Sequence, residues 1–136
     1  MLILAERLIA YLKTQTSITS QLSDSGSIFI DFSPLRKEKF IVISSVVGED
    51  GNNIPSDSGL IAVTVVVSRS AVNACSLCID IGKLVDNALN RKEVELTSGV
   101  YKVLSFVRDG SPALGVDDEQ DEYYFTLEYN FILQNN

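Results

Sequence analysis

Tyr123-Tyr124-Phe125-Thr126-Leu127-Glu128-Tyr129-Asn130-Phe131-Ile132-Leu133-Gln134 is the stretch whose reading decides the fold. In an extended chain Tyr123, Phe125, Leu127, Tyr129, Phe131 and Leu133 fall on one side. Tyr124, Thr126, Glu128, Asn130, Ile132 and Gln134 fall on the other. Apolar side chains at every second position mark a strand with one face on a core. Working outward, Val100 to Arg108 reads as a strand that precedes it. The connection Asp109 to Glu122 carries Gly110, Pro112 and Gly115 and ends in Asp117-Asp118-Glu119-Gln120-Asp121-Glu122. Five of those last six residues are acidic, and charges so dense repel one another and are expected to stay solvated.

Further upstream, Leu60 to Ser68 alternates Ile61, Val63, Val65 and Val67 onto one face, with Thr64 and Ser68 on the more polar one. Phe40 to Val47 is a β-branched run too apolar for an exposed edge. Gly48 to Gly59 lies between them, with Asp50-Gly51 and Pro55 supplying turn chemistry, so the two runs form an antiparallel hairpin. Ile28-Phe29-Ile30-Asp31-Phe32 is a short strand that Pro34 ends.

Two helices complete the pattern. Leu4, Leu8, Tyr11 and Leu12 make one face of the first. Thr14 to Ser27 is a polar loop holding one loose turn around Ile18 and Leu22. The second helix runs from Ala71, with Ser70 as its expected N-cap. Cys75, Cys78, Gly82, Val85 and Leu89 form its stripe, which Ile79, Ile81 and Ala88 widen. Asn90-Arg91-Lys92 suits a C-terminal turn with cations and a left-handed residue. The order is α-β-β-β-α-β-β. It implies one α+β domain spanning residues 1–136, two helices packed on one face of a mostly antiparallel sheet. The second helix is apolar over most of its circumference and is expected to be covered on two sides, by the sheet and by the first helix or another chain.

Composition narrows the chemistry. The chain has 136 residues, 18 acidic against 11 basic side chains, a net charge of −7 and no histidine. Such a surface repels phosphate and argues against direct nucleic-acid binding or docking on anionic lipid. Without histidine the commonest general base, most nucleophilic triads and the usual zinc ligands are missing. The start of the chain does not read as a signal peptide, and no apolar run reaches the roughly 20 residues of a membrane-spanning helix.

Each remaining constellation has a bland reading beside the functional one. Cys75-x-x-Cys78 would need its first thiol at a helix N-terminus to be redox active. The expected helix places Cys75 more than a turn inside, so both are read as buried, inert small hydrophobes. The acidic run does not have calcium-loop spacing. A solvated tip is preferred, and a partner-contact arm is the alternative. Arg36, Lys37 and Lys39 form the only dense basic cluster. It either guards an aggregation-prone strand or docks the acidic loop of a neighbouring copy. Tyr101, Tyr123, Tyr124 and Tyr129 with Phe106 and Phe125 lack the interleaved cations of a base-stacking platform and are read as core or interface. No phosphate loop, nucleophile elbow or paired-carboxylate motif is present. No catalytic residue, metal site or cofactor is expected, and the chain is not expected to be an enzyme.

The element order carries a resemblance. It consists of the Leu4/Leu8/Leu12 helix, the Ile18/Leu22 turn and the strands Ile28-Phe29-Ile30 and Phe40-Ile41-Val42-Ile43. A Gly/Asp/Asn loop, the strand Ile61 to Val67, the helix Ala71 to Leu89, an acidic hairpin and an aromatic closing strand follow. In this the chain resembles, over nearly its whole length, the tail-terminator (tail-completion) proteins of long-tailed bacteriophages. The resemblance implies structural work in the virion, at the head-proximal end of a tail assembled in the host cytoplasm. A ring, typically a homohexamer, caps the tail tube, ends tube elongation and presents the head-joining surface. Its partners would be copies of itself, the tail tube protein and the head connector or neck protein, with DNA only passing through the lumen and no membrane involved. A ring contact joins two different, complementary patches. The candidates for partner contact are Glu49, Asp50 and Asp57, the cluster Arg36, Lys37 and Lys39, and Asp117, Asp118, Glu119, Asp121 and Glu122. A negative lumen would keep passing DNA from sticking. Deleting residues 111–119 is expected to spare the fold and impair assembly. Two other readings stand beside this one. Another neck or tail component, a head-completion or tube-like protein, would form open-ended tubes. A small α+β enzyme or ligand-binding protein would need a pocket of convergent polar groups.

Overall fold

The period-two stretch forms β6 (Glu122–Asn135), and everything else is arranged around it. The structure, a computed structural model, describes residues 2–24, 27–31, 38–48, 56–99 and 101–135. The other strands are β1 (Ile28–Ile30), β2 (Lys39–Gly48), β3 (Ser56–Ser68), β4 (Tyr101–Arg108) and β5 (Ala113–Asp117). The helices are α1 (Leu2–Lys13), α2 (Thr16–Thr19), α3 (Ala74–Leu89) and α4 (Glu93–Leu96). The sheet order is β1-β2-β3-β6-β4, with β5 also on β6. Only β1 and β2 are parallel; the other pairings are antiparallel.

The expected α+β arrangement holds because the alternation was strong. Leu127, Tyr129 and Phe131 of β6 are at most 1% exposed, and Ile61, Val63, Val65 and Val67 of β3 are fully buried. Leu4, Leu8 and Leu12 of α1 and Cys78, Ile81 and Val85 of α3 close over the same face. Each such side chain contributes about 1.5–3 kcal/mol of burial. The helix-free face is also partly apolar: Phe40, Ala62 and Val66 are buried there, outside the main core.

Four details differ from the sequence reading. Ser70 is not the N-cap: its Oγ bonds Ser68 Oγ at 2.8 Å, and α3 begins after Asn73, which takes φ 53°. Asparagine tolerates that left-handed conformation, so the turn at residues 70–73 runs three residues longer before the helix can start. The loop Gly48 to Gly59 is shorter than expected, since Gly48 pairs with Gly59 and β3 starts at Ser56. Ladder bonds are made by backbone, so polar and glycine residues extend the hairpin. The connection Asp109 to Glu122 is no open loop: Ala113 to Asp117 pair with Thr126 to Glu122. Finally, α4 occupies residues 93–96 with only one buried side chain, Leu96, which is too little periodicity to announce a helix.

Candidate functional site: the acidic turn and the sheet edges

The acidic run sits at one end of the sheet. Asp117 closes β5, Glu122 opens β6, and the two pair across a turn of residues 118–121 in which Asp121 has φ 57°. Asp117 Oδ1 accepts the Gln120 backbone N–H at 3.1 Å. Arg69, just past β3, clasps the turn. Its Nη1 is 3.0 Å from Asp118 Oδ1, its Nε 3.3 Å from Asp121 Oδ1, and its backbone N–H donates to Asp121 O at 2.9 Å. The guanidinium also lies 5.9 Å from the Tyr123 ring centre. Both carboxylates are well exposed, so each ion pair contributes at most about 1 kcal/mol. Their effect is to fix the turn's position. The run is therefore not uniformly solvated. Glu122 is 4% exposed and partnered, because as the first residue of β6 it is held in the ladder opposite Ser68. Asp118, Glu119 and Asp121 are exposed. Arg69 had no sequence signal beyond an isolated cation after a strand.

Of the basic cluster, Arg36 and Lys37 lie outside the described residues, as do Glu49 and Asp50. Lys39 begins β2 beside Val67, with Glu38 3.9 Å from its Nζ. The structure thus brings Lys39 and the acidic turn to the same end of the sheet, with β3 and β6 between them. Asp57 stands at the other end, where it pairs with Leu133.

The outer edge of β4 is capped by the segment that precedes it. Asn90 Oδ1 accepts Arg108 N–H at 2.9 Å, Glu93 Oε1 accepts Phe106 N–H at 3.4 Å, and Thr97 Oγ1 accepts Val103 N–H at 2.9 Å. Arg91 N–H donates to Phe106 O, and Ser98 N–H to Tyr101 O. Unpaired strand edges invite further strands, and this one is closed. No such cap covers β5 among the described residues. Leu114 and Val116 of β5, opposite Phe125 and Tyr123, remain 45% and 47% exposed because α3 does not reach over them.

One polar constellation escaped the sequence reading altogether. Tyr129 OH donates to Asp86 Oδ1 at 2.8 Å, and Arg108 Nη1 to Asp86 Oδ2 at 2.7 Å. Tyr129 is fully buried and stacks on Phe106 at 4.8 Å. Burial, with the bond to Asp86, raises its hydroxyl well above the ordinary value. Beside this clamp lies a cleft of about 180 Å³ lined by Gly82, Lys83, Pro112 and Phe125 among others. The clamp's polar atoms are taken up by one another, joining α3 to β4 and β6. Among the described residues no group of three or more His, Cys, Asp or Glu side chains is placed to hold a metal ion. No helix there is long and apolar enough to cross a membrane.

The later start of α3 moves Cys75 to its second residue, half-buried, rather than more than a turn inside. Cys78 is buried, with its Sγ 3.4 Å from Val65 O. Burial, and secondarily the neighbouring Cys75, push its thiol up to about 12. A thiol reagent at pH 7.5 is expected to modify Cys75 alone in the folded protein and both cysteines after denaturation; absorbance of the released chromophore checks the count. Two reactive thiols in the native state would show that Cys78 is not held in the core.

No family model matches the chain, and the search of curated proteins returned no match. Among solved structures, 20 chains match. One is a chain described as "Virion of native gene transfer agent (GTA) particle". It superimposes with a TM-score of 0.71 at 8% identity, covering 93% of this chain and 91% of that one. At that identity the likeness establishes a shared fold.

Proposed function

We propose that this chain is a structural protein of a phage or phage-like virion. We further propose that it caps the tail tube as a tail terminator, forming a ring that ends elongation and presents a surface to the head connector. The observation that carries the coarser reading is the likeness, over 93% of this chain, to a chain of a gene transfer agent particle, itself phage-like. The finer reading rests on the element order, from the Leu4/Leu8/Leu12 helix to the aromatic closing strand. It is supported by two features that suit side-by-side association. The acidic turn lies beyond the β5 edge and Lys39 close to the β1–β2 edge, so the two lateral sides of the sheet differ in charge. Among the described residues nothing covers the sheet edge at β5. In this reading the protein performs no catalysis and holds no cofactor.

Light scattering and negative-stain microscopy of the purified protein across a range of concentrations test the proposal. Closed rings that cap tail tubes in vitro and stop their growth are the expected result. Open-ended tubes would move the assignment to a tube-like component. A monomer at every concentration that also fails to bind tube ends would overturn it. Deleting residues 111–119, attractive from the sequence, is the wrong probe of the turn: it removes the whole of β5, including Gly115, over which the Tyr124 ring lies. The informative variant is Asp118→Asn with Glu119→Gln and Asp121→Asn. It is expected to keep the thermal midpoint within a few degrees while weakening assembly at low salt, because exposed ion pairs contribute little to folding.

A further inference from the structure

The hydrogen bonds along the sheet edges differ in a way that folding of one chain does not require. On one side of the sheet, β4 is capped along its length by residues 90–98, whereas β5, which continues the same edge of β6, is bare among the described residues. On the other side, among the described residues β1 covers β2 from Ile41 to Ile43, and the backbone bond from Asp31 N–H to Ile43 O is the last of them. From Ser44 to Gly48 no described residue pairs with the outer edge of β2. Among the described residues, two stretches of equal length are left without a partner, one on each lateral edge and at opposite ends of the sheet.

We propose that these two stretches pair with each other between copies: residues 113–117 of one chain lie antiparallel against residues 44–48 of the next, making the sheets of neighbouring subunits continuous. The inference rests on the self-association proposed above and names the atoms that carry it. Three observations support it. The direction is right. β5 is antiparallel to β6, β6 to β3 and β3 to β2, so β5 of one copy meets β2 of an identically oriented neighbour in antiparallel fashion. The edge chemistry is right, because residues 113–117 contain no lysine or proline to blunt the strand, while Leu114 and Val116 are half exposed beside it.

The stagger also fits a closed ring. Gly115 is level with Tyr124, Val66 and Phe40, whereas the bare part of β2 is centred about six residues further on, roughly 20 Å along the strand. The repeat across β2, β3, β6 and β5 is roughly 19 Å wide. Copies displaced by that much along the strands share one height around an axis when the strands tilt by the angle whose tangent is stagger over width, about 45°. Closed sheets tilt their strands by about 35–45°. A flat, untilted array would instead climb into a helix.

Hydrogen exchange read by mass spectrometry on the full chain, dilute and assembled, tests the pairing. Amides in 113–117 and in 44–48 are both expected to slow at least tenfold on assembly. Those of β4, already bonded within the chain, serve as the reference. The variants Leu114→Lys and Val116→Lys, at half-exposed positions, are expected to melt within a few degrees of the parent and to need at least tenfold more protein to assemble. An oligomer in which either stretch exchanges as in the dilute chain, or lysine variants that assemble at the parent's concentration, would overturn the pairing and leave self-association standing. A chain that never associates would overturn both.

Discussion

Gly82→Val is expected to cost about 3 kcal/mol in denaturant-unfolding stability. Gly82 lies on the buried stripe of α3, and the Phe125 ring of β6 packs directly on its Cα. A Cβ built there would stand well inside the ring's van der Waals envelope. Phe125 is 9% exposed and is hemmed by Leu127 and Tyr123 on its own strand face, so the ring has little room to withdraw. Two effects oppose each other. Replacing glycine in a helix interior by alanine gains about 1 kcal/mol of propensity. Forcing extra atoms into a packed site costs about 1–3 kcal/mol, more for a branched side chain. Gly82→Ala is therefore expected to be mildly destabilising and Gly82→Val severely so. The partner identifies the cause. Phe125→Ala alone should cost about 3–5 kcal/mol by leaving a cavity, yet Gly82→Val combined with it should cost less than the sum, since the valine fills part of the space. Additive losses would show that the two residues do not share the site.

The same pair shows how far the fold was legible. The alternation in residues 123–134 and the 3.6-residue stripe from Cys78 to Leu89 specify two faces that must meet, and they do. Periodicity states which residues point inward and is silent on which sit opposite each other, so the glycine's role as the seat of one ring was invisible. Turn chemistry was legible where a residue has a strong preference, as at Arg91, whose φ of 60° falls inside the expected turn after α3. It failed at residues 70–73, where Ser70 satisfies the sequence rule for a cap but the chain makes a further turn through Asn73. The strand β5 was hidden because Ala113-Leu114-Gly115-Val116-Asp117 is short, contains glycine and runs into four further acidic residues. Only its partner β6 makes it a strand.

Candidate contact residues were legible as charges and not as neighbours. The acidic run stands out in any charge count, but nothing local to it points to Arg69, nearly fifty residues earlier. That contact exists because β3 ends beside the start of β6. The capping of β4 by Asn90, Glu93, Thr97 and Ser98 was equally hidden, since these look like ordinary polar loop residues. The edge that matters for the proposed association is defined by the absence of such caps on β5 among the described residues, a property of topology rather than of residue type.

Removing the carboxylate of Asp86 is expected to cost about 3 kcal/mol, whereas Tyr129→Phe should cost only about 1 kcal/mol. The asymmetry follows from where the orphaned atoms sit. In Asp86→Ala the Tyr129 hydroxyl stays fully buried behind the stacked Phe106 ring with no acceptor. Arg108, 35% exposed, loses its Asp86 partner but can turn to water. In Tyr129→Phe the Asp86 carboxylate, 17% exposed, keeps Arg108 and loses one donor near solvent. The double variant Asp86→Ala with Tyr129→Phe should be less destabilised than the two losses combined, because the buried hydroxyl that made the first loss expensive is gone. Alkali supplies an independent readout. Burial, and then the bond to Asp86, raise the Tyr129 hydroxyl above its ordinary value near 10 in the folded chain. A group whose folded pKa is raised contributes its full stability below the unfolded value and loses it as pH climbs toward the folded one. Stability should therefore hold through pH 9 and decline above about pH 10. Absorbance of tyrosinate from Tyr129 should emerge only as the protein unfolds, and the Tyr129→Phe variant should show a shallower alkaline decline. A Tyr129 that ionises reversibly near pH 10 in the folded protein would mean that the hydroxyl reaches water and that Asp86 does not clamp α3 to the sheet.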